Sequence, residues 1–275
     1  MLQSLGRRPE QRKNPPPAST EASPRHRIAV LDRAHGRAPV RQHLEVLYGA
    51  LRIGSFSLNE LVQRCLSDSS TELPPSKILH RPLASYFLAQ YFVHSLRIEA
   101  DRAECGVLNG TSALLLCRAA QAYEPDYTGS GLHLVDSFEG LAQPRPEDSF
   151  AVETDGQPAT ATIKRGSFYA PIEHARTALE DFPDVAFHKG WIPEVFDALP
   201  ASRWAFVHLD VDQYDPTYAG LSYFYPRLSP GGVIICDDYG APLFPGAHRA
   251  WDRFCEEHDV PYVVLDTGQS VILKA

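Results

Sequence analysis

The sequence predicts a doubly wound α/β domain with a reversed terminal hairpin and additional N-terminal helices. Three observations carry this reading. Short apolar runs alternate with helical periodicity from about residue 104 onward, Gly or Asp stands at the end of several of those runs, and the last two runs are joined by Asp266-Thr267-Gly268-Gln269, a hairpin signal. Such alternation implies parallel strands with right-handed crossovers, the hairpin adding an antiparallel edge. A length of 275 residues suits one such core rather than two enzymatic domains.

Taken in order, residues 1–26 are rich in Pro, Arg, Ser and Gln, include Pro15-Pro16-Pro17, and read as a disordered tail. Residues 27–99 read as a helical segment. Leu44, Leu47 and Leu51, then Leu58, Leu61, Val62 and Cys65, have helical spacing interrupted at Gly54-Ser55; after Pro74-Pro75, residues 80–96 form a further helix whose Tyr86, Phe87, Tyr91 and Phe92 are assigned to packing. The main domain is assigned to residues 100–275. Strands are expected at 104–108, 132–135, 185–188, 204–211, 233–236, 261–265 and 270–273, and helices at 112–123, 172–182, 194–199, 218–228 and 248–258. The stretch 139–168 exceeds a routine connection and is expected to be a lid or an ordered insertion.

A formal net charge of −8 advertises no basic face for phosphate, so neither nucleic acid nor an anionic membrane is an expected partner. The five cysteines are odd in number and widely spaced, which fits neither a disulfide framework nor a zinc site and points to a cytoplasmic location. No run of about 18 to 20 apolar residues and no signal-peptide core is present.

In doubly wound sheets ligands bind beyond the carboxyl ends of the strands, so the residues there carry the chemical argument. The first strand gives Glu104-Cys105-Gly106-Val107-Leu108-Asn109-Gly110, an E-x-G-x-x-x-G pattern in which Gly106 and Gly110 let a ligand approach the backbone. Leu108 stands where a dinucleotide fingerprint needs its middle glycine, which disfavours a nicotinamide cofactor. The second strand ends at Asp136, where a carboxylate can accept both ribose hydroxyls of an adenosyl cofactor. Asp210 and Asp212 follow one strand and Asp237 and Asp238 follow the next; if the chain stays extended, the first two project to the same side. Four crowded carboxylates repel one another unless a cation neutralises them, and an all-oxygen donor set suits Mg2+. Helix capping would account for one or two of these acids but not for four. His208, just before the acids, is a candidate supporting residue, and no histidine cluster has metal-binding spacing.

The runs Asp136-Ser137-Phe138-Glu139-Gly140-Leu141, Leu209-Asp210-Val211-Asp212-Gln213-Tyr214 with Thr217, Leu228-Ser229-Pro230-Gly231-Gly232 and Asp237-Asp238-Tyr239 together resemble the macrocin O-methyltransferase family. The resemblance spans about residues 102–254. It implies a class I methyltransferase (Rossmann-like) fold, S-adenosylmethionine and magnesium as cofactors, and sugar O-methylation in secondary metabolism. By the same resemblance Asp210, Asp237 and Asp238 hold magnesium, Asp212 is the general base, and Glu104, Gly106, Asp136 and, more loosely, Ser137 and the Gly190-Trp191 region contact the cofactor. The chain departs from the family pattern in its first loop, where Asn109 replaces a basic residue and Thr111 a glycine, and in the stretch 142–164, so the family's antibiotic-sugar acceptor is not carried over.

The expected reaction is methyl transfer to a hydroxyl of a small glycoside or other vicinal diol, with the acceptor as the main partner and a homodimer left open. Two rivals are a metal-dependent nucleotide-sugar transferase, because D-x-D pairs also bind metal diphosphates, and a non-catalytic adenosyl-ligand-binding module. The E-x-G-x-x-x-G start disfavours the first and Asp212 the second.

Overall fold

The computed structural model describes residues 82–275, apart from 155 and 201. The expected tail, the two helices placed between residues 40 and 65 and the first residues of the helix placed at 80–96 lie outside the described residues. The chain runs α1 (Pro82–Ser95), β1 (Asp101–Cys105), α2 (Thr111–Gln121), β2 (Leu132–Asp136), β3 (Phe150–Thr154), β4 (Gln157–Ala161), α3 (Ile172–Ala178), β5 (Ala186–Lys189), β6 (Trp204–Leu209), α4 (Tyr214–Phe224), β7 (Leu228–Cys236), α5 (Pro245–His258), β8 (Val263–Val264) and β9 (Ser270–Leu273).

Seven strands form one sheet in the order β5-β2-β1-β6-β7-β9-β8. β5, β2, β1, β6 and β7 are parallel, whereas β9 runs antiparallel to β7 and β8 to β9, as the terminal hairpin signal required. The chain winds from β1 outward to β2 and β5, then returns to the other side of β1 as β6. The strand order therefore reverses between β1 and β6, and a crevice opens there. Among the described residues no helix is long and apolar enough to cross a membrane.

Both faces of the sheet are covered. Leu88 and Phe92 of α1 and Leu116 of α2 meet Leu134, Phe206 and Ile235 on one face; Leu221 and Phe224 of α4 and Trp251 and Phe254 of α5 meet Val207, Leu209 and Ile234 on the other. Each such fully buried large side chain contributes on the order of 2 kcal/mol of burial free energy, which is what holds the strand ends in fixed relation.

Several boundaries differ from the sequence reading for local reasons. β1 begins at Asp101 rather than 104; Arg102, which looks like a loop residue, is buried and donates from Nη2 to the Ser95 carbonyl (2.8 Å) and from Nε to its Oγ (3.1 Å). α4 begins four residues early, at Tyr214, because Pro216 sits in the first turn where its missing N–H costs nothing. Ser229-Pro230-Gly231-Gly232, expected as a turn, lies inside β7. The register jumps from Trp204 opposite Leu228 to Phe206 opposite Val233, so these residues form an irregularity in the strand, with Gly231 at φ 76°. Residues 194–198 form a 3₁₀ turn rather than an α-helix. The stretch 139–168 is an ordered insertion that holds the separate β3–β4 hairpin.

Candidate active site

The carboxyl ends of β1, β2, β6 and β7 meet at a cavity of about 710 Å³, lined by Gly106, Asp136, Trp191, Asp210, Asp212 and Asp237 among others. On the β1–β2 side Asp136 acts as a receptor for backbone. Its Oδ2 accepts the N–H groups of Val107 (2.7 Å) and Leu108 (3.0 Å), and its Oδ1 accepts that of Phe138 (2.6 Å). Leu108 and Phe138 both have φ near 50°, a left-handed conformation that these bonds help to hold. Ser137 closes the next turn, its Oγ donating to the Gly140 carbonyl and accepting the Glu139 N–H, each at 3.0 Å.

Both glycines of the first loop are required by packing, and Gly106 also lines the cavity. A Cβ on Gly106 would lie 1.7 Å from the Asp210 carbonyl oxygen, so the loop after β1 and the chain after β6 touch backbone to backbone. A Cβ on Gly110 would lie 3.0 Å from Ala175 Cα, and Gly110 does not line the cavity; it seats the start of α2 against α3. Both have φ above 80°, which independently favours glycine.

On the β6–β7 side, Asp210, Asp237 and Asp238 each bring a carboxylate oxygen within 4.8 Å of the others. Burial, then the facing charges of Asp237 and Asp238, push the Asp210 carboxyl well above the usual carboxylate range. Asp212 stands apart from this trio. The extended geometry expected for Asp210 and Asp212 does not hold, because β6 stops at Leu209 and Asp212 takes φ 61° at the centre of a γ-turn closed by the Gln213 N–H on the Val211 carbonyl (2.6 Å). The Asp212 N–H donates to Asp238 Oδ2 at 3.0 Å. Its carboxyl is likewise raised well above the usual range, by burial and then by Asp210, Asp237 and Asp136. A carboxylate with raised proton affinity beside this acidic trio is suited to take a proton.

Beneath the rim lies an ion pair set in apolar surroundings. Glu104 and His208 are opposite one another on β1 and β6, both essentially unexposed, with Glu104 Oε1 and His208 Nδ1 at 2.9 Å. His208 Nε2 stands 3.7 Å from Asp237 Oδ1. Burial opposes charging of this imidazole, but the nearby Asp237 carboxylate and the hydrogen bond with Glu104 prevail and raise its pKa well above the ordinary histidine value. Glu104, expected at the cofactor, is fully buried and does not line the cavity.

The insertion walls one side of the cavity and is pinned to it. Gln213 exchanges two hydrogen bonds with the Ala142 backbone (3.0 and 3.1 Å), Asp148 Oδ1 accepts the Tyr214 N–H at 2.8 Å, and Arg249 on α5 donates to the Glu147 carbonyl. Asp148 thereby caps α4 from 66 residues away.

Thus Gly106, Asp136, Ser137, Asp210, Asp212 and Asp237 line one cavity, Asp238 joins the trio from beneath, and Glu104 and Gly110 stand behind the wall. The sequence reading missed Gln213, Asp148 and Gln269. The first two act across long sequence separations; Gln269 had a signal in the hairpin, since its neighbour Ser270 pairs with Cys236 and places it beside Asp237.

The family model described as macrocin-O-methyltransferase (TylF) matches residues 88–270. The 8-demethyl-8-(2,3-dimethoxy-alpha-L-rhamnosyl)-tetracenomycin-C 4'-O-methyltransferase of Streptomyces olivaceus is 32% identical over 146 residues, covering 52% of this chain and 54% of its own. The mycinamicin III 3''-O-methyltransferase of Micromonospora griseorubida is 27% identical over 179 residues, covering 62% and 65%. The chain thus spans between about half and two thirds of the length of these relatives. Among solved structures, the calicheamicin methyltransferase CalS11 superposes with TM-score 0.59 at 18% identity, covering 87% of this chain and 98% of its own, and the O-methyltransferase NovP with TM-score 0.56 at 21% identity, covering 70% and 79%. These likenesses show that the chain has the fold of class I methyltransferases.

Proposed function

Because the chain belongs to the macrocin-O-methyltransferase family, we propose that it is a magnesium-dependent O-methyltransferase that moves a methyl group from S-adenosylmethionine to a hydroxyl of a small glycoside or other vicinal-diol acceptor. The observation that carries the proposal is the carboxylate trio Asp210, Asp237 and Asp238, gathered within 4.8 Å at the edge of the cavity. Three hard oxygen donors, on side chains where burial and then mutual repulsion raise the Asp210 pKa, fit Mg2+. The cavity is large enough for a cofactor and an acceptor together, and Asp136 with the loop after β1 offers a polar wall for an adenosyl group.

When bound, S-adenosylmethionine supplies the electrophilic methyl group and magnesium makes a chelated acceptor hydroxyl easier to deprotonate. The chain's own residues do the rest. With both groups bound, Asp210, Asp237 and Asp238 would hold the cation that positions the acceptor, and the Asp212 carboxylate would take the proton of the acceptor hydroxyl. Packing of the insertion against Gln213 and α5 limits access of water to that exchange.

The test is methyl transfer from labelled S-adenosylmethionine to a panel of glycosides and catechols, with and without a chelator. Transfer that depends on added Mg2+ is expected, and a rate unaffected by the chelator would sink the metal part of the proposal.

A further inference from the structure

The last hairpin of the chain reaches the acid cluster through an amide, Gln269. Antiparallel pairing of β7 with β9 sets Cys236 opposite Ser270, so one step further along the ladder brings Gln269 beside Asp237. The Gln269 side chain is buried to 1% exposure, and its Nε2 donates to Asp237 Oδ1 at 2.7 Å. A carboxylate can only accept, so the amide must turn its nitrogen to Asp237 and its oxygen away. That oxygen accepts from Thr267 Oγ1 at 2.9 Å, which fixes the amide orientation from the other side.

The turn that carries Gln269 is itself clamped to the segment after Asp238. The Gly240 N–H donates to the Gly268 carbonyl at 2.7 Å, and a Cβ on Gly240 would lie 2.8 Å from Gly268 Cα. The turn closes through Leu265 and Gln269, whose backbones bond at 2.9 Å. A chain of contacts thus runs from the edge of the sheet to one oxygen of one acid, and the same oxygen lies 3.7 Å from His208 Nε2.

We infer that Gln269 is a positioning residue for the cation: by holding Asp237 Oδ1 from the terminal hairpin, it fixes the plane of the Asp237 carboxylate relative to Asp210 and Asp238. The inference rests on the metal reading of the trio proposed above. Partners that orient a ligating carboxylate set metal affinity even though they never touch the metal, and their removal typically weakens it by roughly 10- to 100-fold.

The experiment titrates Mn2+, followed by its paramagnetic resonance, into the wild-type chain, Gln269→Leu and Thr267→Val, and in parallel measures S-adenosylhomocysteine affinity. Gln269→Leu is expected to bind Mn2+ about 10- to 100-fold more weakly with S-adenosylhomocysteine affinity unchanged. Thr267→Val, which keeps the amide but frees its orientation, should show a smaller fall in the same direction, and it carries the test if Gln269→Leu does not fold. Wild-type Mn2+ affinity in both variants overturns the inference while leaving the metal site standing; so does an equal loss of both affinities, which would mean a merely structural role. A wild-type chain that binds no Mn2+ overturns the metal reading and this inference with it.

Discussion

Two acidic positions on the same rim have their charge answered in opposite ways. Asp136, after β2, is surrounded by amides: three backbone N–H groups from two loops converge on its two oxygens. Asp210, after β6, is surrounded by other acids, with Asp237 and Asp238 close enough that their charges, added to burial, drive its carboxyl toward protonation. Both are aspartates at the end of a parallel strand. What distinguishes them is the neighbouring backbone: left-handed residues at 108 and 138 help turn N–H groups toward Asp136, whereas β6 and β7 end side by side and present side chains to one another. One acid is thus answered by amides and the other by acids.

The largest test of that contrast lies within the acidic cluster. Asp212→Asn should lower turnover by roughly two to four orders of magnitude while Mg2+ binding is mostly kept, because an amide cannot take the proton. Asp237→Asn should instead weaken Mg2+ binding, and excess Mg2+ should restore part of the rate. Mg2+ titrations of the methyl-transfer rate check both, and rescue of the Asp212 variant would remove it from the role of base.

Asp136→Ala should act on the scaffold. Leaving several backbone N–H groups without their charged acceptor is expected to cost about 2 kcal/mol of stability. The rise in Tm caused by S-adenosylhomocysteine should largely vanish, since the loop that would hold it is released. An undiminished ligand-induced shift would show that Asp136 does not serve the cofactor.

The smallest expected effect is the pH dependence of the metal-free chain. Asp210 and Asp212 have folded pKa values above their unfolded values near 4, so their contribution to stability is full below about pH 4 and is lost as pH rises through the folded values. His208, also raised, contributes fully below about pH 6.5 and loses that contribution as pH rises through its folded value. Asp252 has the opposite sign: hydrogen bonds from His248, Tyr262 and Tyr239 overcome burial and hold it at about 2, so its contribution is complete above about pH 4 and fades only in acid. In a chelator, Tm should therefore fall between pH 5 and 8, and Mg2+ should raise it more at pH 8 than at pH 5. A Mg2+ effect that shrinks with pH would contradict the repulsion described for the trio.

Much of this arrangement was legible in the residues. The parallel strands, the reversed hairpin and the strand-end positions of Asp136, Asp210, Asp237 and Asp238 follow from local patterns of apolar runs and turns. Less legible was whatever depends on a partner distant in sequence. The start of α4 was hidden because its cap, Asp148, comes from the insertion. The resemblance points to Glu104 as a cofactor contact, but its pairing with His208, 104 residues away on another strand, shows only in the fold, where the two lie buried against each other. Asp212 was placed on an extended chain because nothing in Leu209-Asp210-Val211-Asp212 marks a γ-turn.

Gly106 has a consequence for altering what such a chain acts upon. With no side chain between the loop after β1 and the carbonyl of Asp210, the glycine-loop half of the cleft and the acid half meet in direct main-chain contact. The insertion from 139 to 168, by contrast, borders the cavity through Gly140, Leu141, Ala142, Arg145 and Phe168. Exchange of those side chains can reshape the cavity while the spacing of its two halves stays as the backbone sets it. Under the proposed methyl transfer, acceptor choice and reaction distance are separate variables, open to change one at a time.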